Sequence, residues 1–189
     1  MQKLISFCVP SYNSEAYMEK CIDSLLVGGD RVEIIIVNDG SKDNTGAIAD
    51  SYKERYPDIV KVVHKENGGH GSGVNAGIRE ATGIYYKVVD SDDWADEEGL
   101  KILLDTIEKH LNEGTSPDTY FVNYIFTLYG SLLWVNTMPL SFKSTETPTP
   151  FEINNFLIEL YVYSLSKHNW ICFFLTAPSS YLIKSVLYK

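Results

Sequence analysis

Apolar runs of about six residues alternate with longer amphipathic stretches through roughly the first 110 positions. Residues 4–9 (LISFCV) are almost wholly apolar and are ended by Pro10, which reads as a strand buried on both faces. Ser14 is placed to cap a helix with Tyr17, Cys21 and Leu25 at a spacing of four, stopped by Gly28-Gly29. Residues 32–37 form a second strand, and Asn38-Asp39-Gly40-Ser41 a turn. A helix follows over residues 44–56, carrying Ile48, Tyr52 and Tyr56 on one face and ended by Pro57. Residues 59–63 are a third strand. The glycine-rich loop 67–73 then leads into a helix with Val74, Ile78 and Ala81 on its apolar face, closed near Gly83. Residues 84–89 are a fourth strand, and residues 97–111 a helix with Leu100, Leu103, Leu104, Ile107 and Leu111 in helical period.

Four strands alternating with helices predict an α/β fold: a mostly parallel central sheet with helices on both faces. The rhythm then changes. Residues 120–128 and 132–135 read as a strand pair joined around Tyr129-Gly130-Ser131, residues 141–150 as a Ser/Thr/Pro-rich loop, and residues 151–166 as an amphipathic helix. The segment from Trp170 onward is aromatic and apolar, with a break at Pro178. Residues 1–115 are therefore expected to form one α/β half and residues 116–189 the start of a second, within one structural domain.

Composition narrows the classes. The chain has 189 residues, 44% hydrophobic and 22% charged, which suits one globular domain with a sizeable core. Its net charge of -9 disfavours nucleic acid as a partner, and an anionic ligand would need a metal or a local positive site. No apolar run reaches the length of a membrane span, and the start of the chain does not read as a signal peptide. Cys8, Cys21 and Cys172 are an odd number without paired spacing and read as reduced core side chains, so a cytoplasmic location is expected.

The unusual polar residues gather at the carboxyl ends of the expected strands, where open α/β sheets bind ligands. Pro10-Ser11-Tyr12-Asn13 follows the first strand, Asn38-Asp39-Gly40-Ser41 the second, Asn67-Gly68-Gly69 the third and Asp90-Ser91-Asp92-Asp93-Trp94 the fourth. At about 5 Å and an effective dielectric near 20, each like-charge pair in the last group costs roughly 3 kcal/mol, which a divalent cation would remove. Tyr12 offers a flat face to a nucleobase, Asp39 can accept from a base N–H or ribose hydroxyls, and the amides of residues 69–73 open a helix toward phosphate or sugar hydroxyls. Taken singly, each group is also an ordinary turn or cap.

The motifs Val9-Pro10-Ser11-Tyr12-Asn13, Val37-Asn38-Asp39-Gly40-Ser41, Asn67-Gly68-Gly69 with Asn75-Ala76-Gly77, and Asp90-Ser91-Asp92-Asp93 occur in order over roughly the first 110 residues. In this the chain resembles family 2 glycosyltransferases with the GT-A fold, a Rossmann-like nucleotide-diphospho-sugar transferase architecture. The resemblance implies transfer of a sugar from a nucleotide-sugar donor, commonly UDP-linked, to an acceptor hydroxyl with inversion. The acceptor would be a glycan, a lipid-linked molecule or another hydroxyl compound, as in polysaccharide biosynthesis, which would bring the protein to the inner face of the membrane. By motif match, Pro10, Tyr12, Glu15, Asp39, Asn67, Gly68, Gly69 and Asp90 would hold the nucleotide. Asp90 and Asp92 would hold Mn2+ or Mg2+ as a DXD element, with Asp92 the principal direct ligand, and Asp93 would orient the donor sugar or the metal. Val74 stands where many members carry an arginine that helps with the nucleotide; His70 and Lys65 are the nearby candidates to replace it.

An inverting transfer also needs a carboxylate base. In the family it follows a segment that residues 181–189 resemble, so the base is expected beyond Lys189 and the chain is expected to be the donor-binding portion of a longer enzyme. Exposed Phe173, Phe174, Leu182 and Tyr188 would then meet further chain or pair two copies in a homodimer. Among rivals, a Rossmann dehydrogenase would need Gly-x-Gly-x-x-Gly where Pro10-Ser11-Tyr12-Asn13 stands, and a P-loop enzyme a lysine that Gly71-Ser72-Gly73-Val74 lacks. A non-catalytic nucleotide-sugar sensor would use the same donor residues.

Overall fold

The computed structural model describes residues 2–122 and, as strand backbone, residues 124–128, 131–135 and 181–184. The expected loop 141–150, the helix 151–166, Cys172 and the exposed side chains proposed for the C-terminal segment lie outside the described residues.

Strands β1 (Ile5–Ser11), β2 (Val32–Asp39), β3 (Val60–Lys65) and β4 (Tyr85–Val88) alternate with helices α1 (Met18–Leu26), α2 (Thr45–Arg55), α3 (His70–Glu80) and α4 (Glu97–Asn112). β1 and β2 are buried at every position, which explains their near-continuous apolar sequence. Three short strands follow before the C-terminal segment: β5 (Thr119–Phe121), β6 (Tyr124–Leu128) and β7 (Ser131–Val135). The last, β8 (Tyr181–Lys184), returns to the main sheet.

The main sheet has the order β3-β2-β1-β4-β8-β5. β1 pairs in parallel with both β2 and β4, and β2 with β3; β8 is antiparallel to β4 and to β5. The chain steps outward from β1 to β3 and then crosses back to β4, so the order reverses between β1 and β4. Parallel crossovers are right-handed, and that reversal sends α3 to the face opposite α1 and α2. The core follows suit. Phe7, Val9, Ile34 and Ile36 pack with Ile22 and Leu25 of α1, Tyr52 of α2 and Leu104 and Ile107 of α4. Cys8, Ile35 and Val37 point the other way, onto Ala76 and Ala81. The mostly parallel sheet covered on both faces is as expected.

Three local expectations are corrected. The run 120–128 does not form one strand. It divides into β5, which joins the main sheet, and β6, which pairs with β7 in a separate two-stranded sheet. α3 begins at His70, inside the expected loop, and its buried face is Gly73, Ala76 and Gly77, whereas Ile78 is exposed. Finally, Ser14 does not cap α1. The helix starts at Met18, Tyr17 stands at the N-cap position without a side-chain capping bond, and the Ser14 hydroxyl lies 2.8 Å from the hydroxyl of Ser91. No helix among the described residues is long and apolar enough to cross a membrane.

Candidate functional site

The carboxyl ends of β1 to β4 enclose a cleft of about 480 Å³. Pro10, Ser11 and Tyr12 line it from the end of β1, Asp39 from β2, Asn67 and Gly69 from the loop after β3, and Asp90, Ser91 and Asp92 from the loop after β4. It straddles the reversal of strand order between β1 and β4, the usual position for a ligand in this architecture. His70 and Gly73, from the loop whose amides were expected to face phosphate or sugar hydroxyls, also line it, as does Ser14, which the sequence placed only as a helix cap.

Strand register builds the first wall. Asp39 lies directly beside Lys65 across β2 and β3. Lys65 forms an ion pair with Asp39 Oδ1 and donates to the carbonyl of Glu66 at 2.5 Å. The amide of Gly68 donates to both oxygens of Asp39 at 3.0 and 3.2 Å, and the amide of Gly69 to Oδ2 at 2.8 Å. Burial alone would raise the pKa of this carboxyl. The hydrogen bonds from Lys65, Gly68 and Gly69 outweigh it and hold Asp39 below the usual carboxylate range. A carboxylate offers about four acceptor positions, so in the ligand-free chain those of Asp39 are largely filled by the loop it anchors.

The opposite wall is the acidic turn, closed by the amide of Asp93 donating to the carbonyl of Asp90 at 2.9 Å. Its base rests on Cys21, whose thiol lies 3.6 Å from the Asp90 carbonyl. Burial, reinforced by the charges of Asp93, Asp92 and Asp90, pushes that thiol up to about 12, so it is no nucleophile. Lys87, on β4 below the turn, is pulled down to about 8 by burial, against the opposing influence of Asp93 and Asp90. Across the cleft, the Nε2–H of His70 donates to Asp90 Oδ1 at 2.9 Å.

Of the residues singled out from sequence, the cleft gathers Pro10, Tyr12, Asn67, Gly69, Asp39, Asp90 and Asp92. Tyr12 is 49% exposed, with its ring free to accept a flat partner. Glu15, Gly68 and Asp93 are not among the lining residues. Glu15 accepts from the amide of Asn44 at 2.9 Å, at the start of α2, and Gly68 serves through its amide on Asp39. No three His, Cys, Asp or Glu side chains among the described residues converge closely enough to hold a metal by themselves. Lys65 and His70 drew notice in the sequence only as candidates to replace the arginine whose place Val74 takes. Their partners, Asp39 and Asp90, depend on strand register and on where α3 begins, which no local pattern encodes.

Known proteins are similar to this chain in sequence and in fold. EpsJ of Bacillus subtilis, described as an uncharacterized glycosyltransferase, is 42% identical over 111 residues, covering 58% of this chain and 32% of EpsJ. Glycosyltransferase GlyG of Streptococcus pneumoniae is 39% identical over 111 residues, covering 58% of this chain and 36% of GlyG. The chain thus spans about a third of the length of these relatives. Among solved structures, S. aureus TarS 1-349 in complex with UDP is similar with a TM-score of 0.53 and 32% identity, covering 61% of this chain and 34% of that one. The complex of the same protein with UDP-GlcNAc gives a TM-score of 0.52 at 32% identity, over 61% of this chain and 33% of that one. The fold is that of the GT-A glycosyltransferases. The Glycosyl transferase family 2 model matches residues 6–175, and the chain belongs to that family.

Proposed function

We propose that this chain binds a UDP-linked sugar in the cleft at the carboxyl ends of β1 to β4 and presents it for transfer, with inversion, to an acceptor hydroxyl. The observation that carries the reading is the convergence of Tyr12, Asp39, Gly69, Asp90 and Asp92, from four separate strand ends, on one cleft. Its similarity to TarS, solved with UDP and with UDP-GlcNAc, supports the choice of base.

In this reading the uracil lies against the exposed ring of Tyr12. Asp39 holds the Asn67-Gly68-Gly69 wall in place, and a base N–H reaches its carboxylate by displacing Lys65. The diphosphate lies toward the first turn of α3, where the helix opens at His70 with partial positive charge. Asp90 and Asp92 would hold Mn2+ or Mg2+, since such ions prefer carboxylate oxygens and are commonly held by one or two carboxylates together with substrate phosphates. An ion bound there supplies Lewis-acid stabilisation of the charge on the departing diphosphate. Residues 1–115 make up the donor side, and the chain from residue 116 begins the acceptor side.

A thermal-shift titration with UDP, GDP and CDP, each with and without Mn2+, tests the proposal. Ligand at about a hundredfold over its Kd adds about 2.7 kcal/mol, a rise on the order of 5–10 °C for a chain of this size. The expected result is a shift with UDP that Mn2+ enlarges. Equal shifts with all three nucleotides would remove the assignment of the base, and no shift with any would remove the donor site.

A further inference from the structure

His70 and Asp90 meet from opposite walls of the cleft. His70 is the first residue of α3, on the loop anchored by Asp39; Asp90 opens the acidic turn after β4. Their side chains are 52% and 43% exposed, so the contact is made at the mouth of the cleft rather than imposed by core packing. A carboxylate only accepts, so the histidine Nε2 carries the proton and donates to Oδ1 at 2.9 Å. One connected path then crosses the cleft: Asp39 holds the amides of Gly68 and Gly69, Gly69 leads into His70, and His70 holds Asp90.

We propose that His70 is a positioning residue for the metal-binding carboxylate of Asp90. It fixes one carboxylate oxygen and so leaves the other presented to the ion, and it sets the distance between the glycine-loop wall and the acidic wall. This role rests on the donor-site reading above. It differs from replacing the arginine that Val74 lacks, because His70 acts through Asp90 and not on the nucleotide. Ligand-orienting partners of this kind are typically worth about 10- to 100-fold in metal affinity.

The test is calorimetric titration of UDP, with and without Mn2+, into the wild-type chain, His70→Ala, His70→Gln, Asp90→Asn and the double variant His70→Ala/Asp90→Asn. In Mn2+, H70A is expected to weaken UDP binding by about 10-fold or more. The weaker binding measured without Mn2+ should fall by much less. H70Q, whose amide can still donate to Asp90, should restore most of the loss. In the D90N background H70A should add nothing, since residues acting as one unit are not additive. An unchanged Kd in H70A overturns the proposal. So does a loss that is equal with and without Mn2+, or one that persists in D90N, either of which would assign His70 to direct contact with the donor. Absence of Mn2+-dependent UDP binding in the wild-type chain would overturn the donor-site reading itself, and this role with it.

Discussion

Asp39 is 3% exposed, yet it accepts from Lys65 and from the amides of Gly68 and Gly69. Replacing it with asparagine removes the charge that Lys65 faces and turns one acceptor into an amide that opposes a backbone N–H. Asp39→Asn is therefore expected to cost about 2–3 kcal/mol, read as a lowered urea midpoint at unchanged m. A midpoint within error of the wild type would show that the loop holds itself. Sequence placed Asp39 in a turn just after the second strand, whereas the structure carries that strand through Asp39 as its last residue. Nor could the sequence show Lys65 as the partner of Asp39, because that depends on the β2–β3 register, in which Asp39 faces Lys65. That Glu15 does not line the cleft was hidden for a similar reason. Its carboxylate satisfies the Asn44 amide at the start of α2, and a local motif does not say which of two nearby loops a side chain will serve. Cys8 and Cys21 were legible as core side chains from their apolar neighbours, and both are buried. Cys8, pushed up to about 11 by burial, and Cys21, pushed to about 12, should resist alkylation in the folded chain and react only on unfolding. Rapid labelling of both in native buffer would contradict the packing described for α1 and α3.

At the scale of elements, the alternation of strands and helices was readable through α4 because each segment is long and strongly periodic. The face of α3 was not. Its apolar residues suggested Val74 and Ile78, but the helix lies so close to β1 that glycine governs the contact. A Cβ at Gly73 would come within 3.2 Å of the Pro10 Cβ. One at Gly77 would overlap the Cys8 sulfur and lie 2.9 Å from its Cβ and 3.0 Å from the Tyr86 hydroxyl. Gly77→Ala gains about 1 kcal/mol in helix propensity, but overpacking at the sheet costs up to about 3, for a net loss of about 2 kcal/mol. Thermal melting checks this, and Cys8→Ala should recover part of the loss; a stabilised G77A would show that α3 can lift from the sheet at no cost. That close approach also matters for the site, since it seats His70 and Gly69 at the cleft. The order of the later strands was illegible for a different reason. β8 enters between β4 and β5 from about sixty residues further along the chain, and pairing over such a separation leaves no local trace.

For the whole molecule, two buried carboxylates tie the two edges of the sheet. Asp39 anchors the carboxyl edge, where the cleft lies. Glu33, 2% exposed, anchors the other: it accepts from Ser6 at 2.5 Å, from Thr82 and Gly83, and pairs with Lys61 at 2.7 Å. Burial would raise the pKa of Glu33, but its bonds to Lys61, Ser6 and Thr82 prevail and lower it, as with Asp39. With both groups depressed in the folded state, the unfolded chain takes up protons first as pH falls. The stability they confer is present above the unfolded carboxylate range, near about 4, and is lost as pH drops through the lower folded values. The urea midpoint should hardly change between pH 7 and 5 and should fall steeply below about 4, with Glu33→Gln shallower than wild type; a midpoint that rises on acidification would contradict this. The central claim, that the cleft binds a nucleotide-sugar with a divalent ion, is tested most directly by a crystal structure with UDP and Mn2+, with the metal located by anomalous scattering. The predicted result is uracil against Tyr12 and a manganese peak beside Asp90 and Asp92. A nucleotide bound elsewhere, or manganese on other acids such as Asp50 beside His64, would contradict it.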